Sequence, residues 1–340
     1  MPPERASQTT MRQSYLKSLL AEESHMRIWK AVATASILAL TGVFAVGCGS
    51  SGGATAESAA PTVAAPASAA PTEAAPAPSE AVPAEPTTLL ERIQRDGVLR
   101  VSTDPAYPPQ SSFDDATGQW AGFDIEVATE IAKRLGAEVQ WETPSWDVLT
   151  AGKWNDRWDI SVGSMTITDE RAKVLDFTTP YYFTPSGVAV GAKSDITSID
   201  QLSGKRVGVC GACTYEFYLN RTLKIPGFDF EFLVPEDIEI VTYDTDSTGI
   251  QDLALGRIDA MVSTIPTLEE AIKKGKKITL LGDPIFQEPL SVATDKSSLL
   301  PVDTLVAEIN TVIEAMRADG TLSDLSMKWY GVDFTKGAGS

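Results

Sequence analysis

The sequence predicts an α/β protein with two lobes, each a sheet flanked by helices. The chain has 340 residues, 43% of them apolar, and is long enough for two domains with cores of their own. From Thr88 onward, strand-like runs alternate with amphipathic helical patterns, and the alternation starts again after Gly187. Such alternation is typical of α/β folds, and its second start indicates a second lobe.

The first lobe is predicted to have a βαβαβ arrangement. Its strand-like runs are VLRVST, EVQWET and WDISVGS, and its helical segments are DIEVATEIAKRLG and WDVLTAGKW. In the longer helix, Asp124 is the candidate N-cap and Gly136 the C-terminal stop. The apolar residues of this helix recur on one face, so it is expected to pack on the sheet.

The second lobe repeats this arrangement. Its strand-like runs are GKRVGVC, IEIVTYD and IDAMVST, and its helical segments are TYEFYLNRTL, TGIQDLALG and TLEEAIKKG. Two last helical patterns cover residues 302–318 and 322–329. Their apolar faces need a core to cover them, so we expect both to pack on one lobe.

Residues 1–47 resemble a bacterial lipoprotein signal. In MRIWKAVATASILALTGVFAVGC, basic residues precede a 16-residue apolar run, and small residues precede Cys48. The resemblance implies cleavage before Cys48 and a diacylglycerol on it, although Ala45 stands where leucine is usual. A transmembrane anchor is the alternative, but a spanning helix needs roughly 20 apolar residues. Met26 is the alternative start of translation, because the residues before it are polar.

Residues 48–87 are predicted to form a tether. From Gly49 to Thr87 nearly every residue is Ala, Pro, Ser, Thr, Gly or Glu, and none is aromatic. This composition cannot bury enough surface to fold. We therefore expect an extracytoplasmic protein that the lipid on Cys48 anchors to the cell membrane, with its folded part beyond the tether.

Composition and reactive residues exclude several classes of function. The chain has 46 acidic and 28 basic residues and a net charge of -18, which argues against nucleic-acid binding. The only histidine, His25, precedes Cys48. The mature chain therefore has no Ser-His pair and no imidazole metal site, and no cofactor or metal is expected. Cys210 and Cys213 remain, and an oxidising compartment favours a disulfide between them, with redox exchange or plain packing as the alternatives.

Polar and aromatic residues follow the predicted strands of both lobes, and open α/β sheets bind ligands at the carboxyl ends of their strands. The set suits a small zwitterionic or charged ligand between the lobes. The alternative is that these residues only cap helices and form turns. They are Asp104, Tyr107, Ser145, Trp146, Ser164, Thr166, Cys213, Thr214, Asp244, Asp246, Ser263 and Thr264.

The stretch GSMTITDER combines small residues, hydroxyls and an arginine directly after a strand. Ser164 and Thr166 can offer hydroxyls and amides to an anion, and Thr168 can cap the helix that carries Arg171. A guanidinium binds a carboxylate through two parallel hydrogen bonds. The alternative is a surface arginine paired with a neighbouring acidic residue, with no effect on function.

From Thr88 to Phe334 the sequence resembles solute-binding protein family 3, the amino-acid-binding proteins of ABC transporters, including the histidine- and glutamine-binding proteins. The motifs are TDPAYPP, GQWAGFDIEVATEIAKRLG, WDISVGSMTITDERAKVLDFTTPYY, LSGKRVGVCGACTYEFYL, LALGRIDAM and ADGTLSDLSMKWYG. The resemblance implies a type II periplasmic-binding-protein clamshell. Lobe 1 would cover residues 88–186 and 285–340, lobe 2 residues 187–284, and PSGVAV and EPLSVAT would form the two-strand hinge.

The resemblance also implies how the two charged groups of an amino acid are bound. Arg171 would bind the ligand carboxylate together with the amide of Thr166 and with Thr214. Ser164 and the hydroxyl of Thr166 would receive the α-ammonium. At Thr264 the sequence departs from the family, which usually has an acidic residue there to pair with the α-ammonium.

The remaining site residues would contact the ligand side chain or form the loops of the site. Tyr107 and Trp146 occupy the positions of the family's aromatic sandwich, and Asp104 would meet a cationic side chain. Gly163 belongs to the predicted ligand loop GSMTITDER, and Cys213 belongs to the predicted ligand loop just before Thr214.

The resemblance implies a substrate-binding lipoprotein, expected to be a monomer, that captures a small polar solute and delivers it to the permease subunits of an ABC importer. The expected solute is an amino acid with a basic or polar side chain, and no enzymatic activity is expected. The alternatives are a betaine-like or imino-acid solute, a sensory subunit, and an enzyme similar to cyclohexadienyl dehydratase.

Replacing Cys48 by Ser should release the protein from membranes, because the thiol that receives the lipid is lost. Membrane fractionation and intact-mass analysis of both forms would check this. Membrane retention of the variant, together with a wild-type mass without lipid, would contradict the prediction.

Overall fold

The computed structural model of the protein describes residues 85–336. The signal segment, Cys48 and nearly all of the predicted tether lie outside these residues, so lipidation and the tether stay predictions. Within the described range, no helix is both long enough and apolar enough to cross a bilayer.

The elements predicted for both lobes are present, with bounds shifted by a few residues. The helices are α1 (Leu89–Asp96), α2 (Phe123–Leu135), α3 (Trp146–Thr150), α4 (Thr214–Leu219), α5 (Asp246–Ala254), α6 (Ile265–Lys273), α7 (Asp303–Ala318) and α8 (Thr321–Tyr330). The strands are β1 (Val98–Ser102), β2 (Ala106–Tyr107), β3 (Ser111–Asp114), β4 (Gln119–Ala121), β5 (Glu138–Glu142), β6 (Ile160–Thr166), β7 (Leu175–Phe177), β8 (Tyr182–Gly191), β9 (Arg206–Cys210), β10 (Glu239–Tyr243), β11 (Ala260–Thr264) and β12 (Ile278–Asp295).

One continuous sheet joins the two lobes, in the order β5-β1-β6-β12-β8-β11-β9-β10, with β7 paired to β12. At one end β1 runs parallel to β5 and β6, and at the other β9 runs parallel to β10 and β11. Between these ends, β8 and β12 pair with each other antiparallel. These two strands contain the predicted hinge segments, so the predicted α/β fold with two lobes and a two-strand hinge is confirmed.

A separate apolar core supports each end of the sheet. Leu99 of β1, Ile131 of α2 and Ile309 of α7 belong to one buried cluster. Val207 of β9 and Tyr218 of α4 belong to another. Burying each large apolar side chain stabilises the fold by about 1.5–3 kcal/mol. Because α7 lies in the first cluster, the last part of the chain packs on lobe 1.

The start of α2 differs from the prediction. Gly122 is the N-cap, while Asp124 lies inside the helix and is fully buried. The amides of Phe123 and Asp124 donate to the carbonyl oxygens of Pro109 and Gln110, at 3.1 and 2.9 Å. A side-chain cap is therefore not needed, and the carboxylate of Asp124 bonds elsewhere, as described below.

Three other features were not predicted. A capping box of Thr88 and Glu91 begins α1, and β2, β3 and β4 form a separate small sheet in lobe 1. Helix α4 has six residues, fewer than its apolar pattern indicated. It ends early because Arg221 adopts a φ of 57°, which an α-helical residue cannot have.

Gly122→Ala should lower the free energy of unfolding by about 3 kcal/mol or more. Gly122 has a φ of 141°, and a Cβ there would lie 2.2 Å from the carbonyl oxygen of Gln110. Gly118→Ala is the matched control, because Gly118 also has a positive φ, 68°, but no atom within 4 Å of a Cβ. It should cost about 1 kcal/mol. Chemical denaturation measures both, and equal losses would contradict the assigned clash.

Candidate functional site

A cleft between the lobes brings together nine of the ten predicted ligand residues with others from both lobes. It lies at the carboxyl ends of β1, β6, β9 and β10, as expected for an α/β sheet. The tenth predicted residue, Thr264, is fully buried outside this lining, and its hydroxyl donates to the carbonyl of Pro185 at 3.2 Å. The lining residues are Asp104, Tyr107, Trp146, Gly163, Ser164, Thr166, Arg171, Cys210, Cys213, Thr214, Tyr215, Asp244, Thr245, Asp246 and Glu288.

Arg171 is 4% exposed, so the interpretation of it as a surface arginine is wrong. It begins a short 3-10 turn after β6, and its amide donates to the hydroxyl of Thr168 at 3.2 Å. Its Nη1 donates to the carbonyl of Thr166 and its Nη2 to the carbonyl of Ala212, each at 3.0 Å. The neighbouring Glu170 instead pairs with Lys173 at 2.6 Å.

The guanidinium of Arg171 therefore bonds only to neutral carbonyls, and its Nε has no partner among the described residues. Burial lowers the pKa of Arg171 to about 10, and the charge of Glu288 opposes this shift. Arg171 stays a cation at neutral pH. A buried cation without a bonded carboxylate is costly, so binding an anion there is favourable.

Trp146 and the Cys210–Cys213 loop surround this guanidinium. The centroid of the Trp146 ring lies 5.2 Å from Cζ of Arg171, and its Nε1 donates to the carbonyl of Ala212 at 3.1 Å. Ala212 has a φ of 56° and lies inside the loop that the Cys210–Cys213 disulfide closes. One carbonyl of lobe 2 thus accepts hydrogen bonds from two residues of lobe 1.

Ser164 is held by a buried hydrogen-bond network that the sequence did not indicate. Its φ is 53°, and its hydroxyl donates to Asp124 at 2.6 Å and contacts the hydroxyl of Tyr182. Tyr181 donates to the other oxygen of Asp124 at 2.7 Å and accepts from the amide of Ser164 at 3.2 Å. Burial raises the pKa of Asp124 to about 7. Asp124 therefore positions Ser164 on β6, and no N-cap role remains for it.

Direct contacts close the cleft. The hydroxyls of Tyr107 and Tyr215 are 3.3 Å apart, and Ser247 donates to the carbonyl of Ala106 at 2.6 Å. Thr267 donates to Gln110 at 3.1 Å. Each of these bonds joins lobe 1 to lobe 2 across the cleft.

Two further carboxylates, one from each lobe, line the cleft. Asp246 is 5% exposed, and its Oδ1 has no hydrogen-bond partner among the described residues. Burial and then the charges of Asp104 and Glu288 raise the pKa of Asp246 to about 7, against an opposing effect of the Ser263 hydroxyl. Burial also raises the pKa of Asp104, whose Oδ1 accepts from the amide of Ala106 at 2.7 Å. Two such carboxylates are stabilised by a cation between them.

Glu288 is the main residue that the sequence reasoning missed. It is 2% exposed, lies on β12 and lines the cleft. It accepts hydrogen bonds from Thr166 at 2.8 Å, from Ser186 at 2.9 Å and from Thr214. The available signal was an acidic residue inside the largely apolar stretch IFQEPLSVA. Tyr215 and Thr245 were also not named as site residues.

Comparisons with known proteins show which family the chain is similar to. The L-cystine-binding protein TcyJ of Escherichia coli (strain K12) is 34% identical over 253 residues, which cover 73% of this chain and 88% of TcyJ. An ancestral arginine-binding protein bound to arginine has a TM-score of 0.61 at 30% identity, over 69% of this chain and 99% of that one.

A second ancestral structure, of the amino acid-binding protein AncCDT-1, a precursor of cyclohexadienyl dehydratase, also has a TM-score of 0.61 at 30% identity. It covers 71% of this chain and 99% of its own. The profile of the bacterial extracellular solute-binding proteins, family 3, matches residues 99–332. With its two-strand hinge and closed cleft, the chain belongs to the bacterial extracellular solute-binding proteins of family 3.

Proposed function

We propose that this protein is the substrate-binding lipoprotein of an ABC importer and that its solute is a cationic amino acid, such as arginine or lysine. The observation that carries the solute class is the charge of the cleft. Three buried or half-buried carboxylates, of Asp104, Asp246 and Glu288, line the cleft with one guanidinium, that of Arg171.

These groups match the charges of a cationic amino acid. Arg171 offers the ligand carboxylate a cation whose only bonded partners are carbonyls. The three carboxylates offer partners for two ligand cations, the α-ammonium and the side-chain cation. Buried charges are tolerated when they are paired, and a ligand with net positive charge pairs the most of them.

The same charges argue against cystine, the solute in the name of TcyJ. Cystine carries two ammonium groups and two carboxylates, so it needs a second cationic partner in the site. Among the described residues that line the cleft, Arg171 supplies the only cation. A second ligand carboxylate would face acidic residues, and like charges repel.

The importer role rests on the family and on the N-terminal sequence. The lipoprotein signal ending at Cys48 and the tether after it suit a protein held outside the cell membrane. The contacts between the lobes support delivery to permease subunits. The two lobes form one joint surface for a permease only when the cleft is closed. The protein is proposed to act as a monomer without enzymatic activity.

Isothermal titration calorimetry should show that the wild-type protein binds arginine or lysine at least about tenfold more tightly than cystine or glutamine, since an unpaired charged partner costs about 1–3 kcal/mol. Arg171→Ala should weaken binding several hundredfold, or about 3–5 kcal/mol, because it leaves the ligand carboxylate buried without a partner. Arg206→Ala, at the opposite end of β9 from the cleft, is the matched control and should leave the affinity unchanged.

Two results would overturn this function. The first is that no cationic amino acid binds below the millimolar range, especially if a betaine-like or imino-acid solute does bind. The second is an Arg171→Ala variant whose affinity stays within threefold of wild type, which would place the carboxylate site elsewhere.

The affinity for a cationic amino acid should fall as the pH drops below about 7. In the ligand-free site the pKa of Asp246 is raised to about 7, and a bound cation favours the charged form, so binding releases a proton. The dissociation constant should be level above pH 7 and rise by up to about tenfold per pH unit below it.

Calorimetry from pH 5 to pH 8 measures this profile for three proteins. Asp246→Asn should flatten it, and the exposed Asp195→Asn should keep the wild-type profile. Burial also raises the pKa of Asp124 to about 7. The difference between the pH profiles of wild type and Asp246→Asn therefore isolates the contribution of Asp246. An unchanged profile in Asp246→Asn would assign the pH dependence to another group.

A further inference from the structure

We propose that Glu288 binds the α-ammonium of the solute, in the role that family resemblance gives to an acidic residue at position 264. This inference rests on the proposed function, because it assumes an amino acid whose carboxylate lies on Arg171. Glu288 would then be the residue that makes the protein require a free α-amino group in its solute.

The first observation is how Glu288 is held. Its donors come from three parts of the fold, namely Thr166 at the end of β6, Ser186 on β8 and Thr214 at the start of α4. A carboxylate has about four lone-pair sites. Three are used by these hydroxyls, and about one remains for an N–H donor in the cleft.

The second observation is that Glu288 and Arg171 lie beside each other without pairing. The carbonyl of Thr166 accepts from Arg171 at 3.0 Å, and its hydroxyl donates to Glu288 at 2.8 Å. No ion pair joins the two charged groups within the described part of the chain. An amino acid carries its carboxylate and ammonium on one carbon. Its binding site therefore needs a cation and an anion that lie side by side but do not pair with each other.

The third observation separates the charges of the cleft into two groups. Arg171 and Glu288 share a bonded partner in Thr166. Asp104 accepts from the amide of Ala106, and Ser247, the residue after Asp246, donates to the carbonyl of Ala106. The first group suits the carboxylate and α-ammonium of arginine, and the second suits its side-chain cation.

The fourth observation explains how Glu288 can replace an acid at position 264. Thr264 pairs with Ser186 across β11 and β8, and the hydroxyl of Ser186 donates to Glu288. The two positions are thus separated by one strand of the sheet. Thr264 itself is bonded to the carbonyl of Pro185, so the negative charge is supplied from β12.

The test combines a protein change with a ligand change. Glu288→Gln removes the charge, and 5-guanidinopentanoate is arginine without its α-amino group. By calorimetry, Glu288→Gln should weaken arginine binding about 10–100-fold, the effect of a lost hydrogen bond between charged groups, but change 5-guanidinopentanoate binding less than about threefold. If lysine is the tighter ligand, lysine and 6-aminohexanoate replace this pair.

Asp246→Asn is the matched comparison, because it removes a carboxylate assigned to the side-chain cation. It should weaken both ligands by a similar factor. Equal losses of both ligands in Glu288→Gln would overturn the inference and assign Glu288 to lobe closure. If Glu288→Gln does not fold, as judged by thermal unfolding, the wild-type protein decides, since it should prefer arginine to 5-guanidinopentanoate at least about tenfold.

Failure of the proposed function gives a different result. In that case the wild-type protein binds neither arginine nor lysine, and the assignment of Glu288 falls with it. If the wild-type protein binds a cationic amino acid but does not distinguish it from the analogue without an α-amino group, the proposed function stands and the role of Glu288 is overturned.

Discussion

The guanidinium of Arg171 is buried against two carbonyl oxygens, one from each lobe, and much of the cleft is arranged around that constraint. The carbonyl of Thr166 belongs to lobe 1 and that of Ala212 to lobe 2. A buried cation with only neutral partners costs free energy that a bound carboxylate would recover. Trp146 covers the guanidinium, and the Cys210–Cys213 loop holds Ala212 in the conformation that turns its carbonyl toward it.

Closure and recognition use the same groups. Glu288 accepts hydrogen bonds from Thr166 of lobe 1 and Thr214 of lobe 2, and it lies on a strand that joins the lobes. Opening at β8 and β12 would separate these hydroxyls, so the full set of polar partners exists only when the cleft is shut. A solute that pairs with Arg171 and Glu288 therefore favours the closed form by its own binding free energy.

The sequence predicted the features that follow from local pattern and from the rule of strand ends. The hydroxyls at the end of β6, Arg171 and the hinge segments were all identified, because each lies in or beside a recognisable strand, although Arg171 begins a three-residue 3-10 helix where a longer helix was expected. Glu288 was missed because its partners are 74, 102 and 122 residues away in the chain, a proximity that only the sheet register creates. Asp124 was misassigned because the backbone carbonyls of Pro109 and Gln110 satisfy the start of α2.

The central claim is that Arg171 and Glu288 bind the carboxylate and α-ammonium of an amino acid, while Asp104 and Asp246 bind its side-chain cation. A crystal structure of the protein with L-arginine tests this most directly. The account predicts the ligand carboxylate on Arg171, the α-ammonium within hydrogen-bond distance of Glu288, and the guanidinium of the ligand between Asp104 and Asp246. A ligand bound in the reverse direction, or with its α-ammonium away from Glu288, would contradict it.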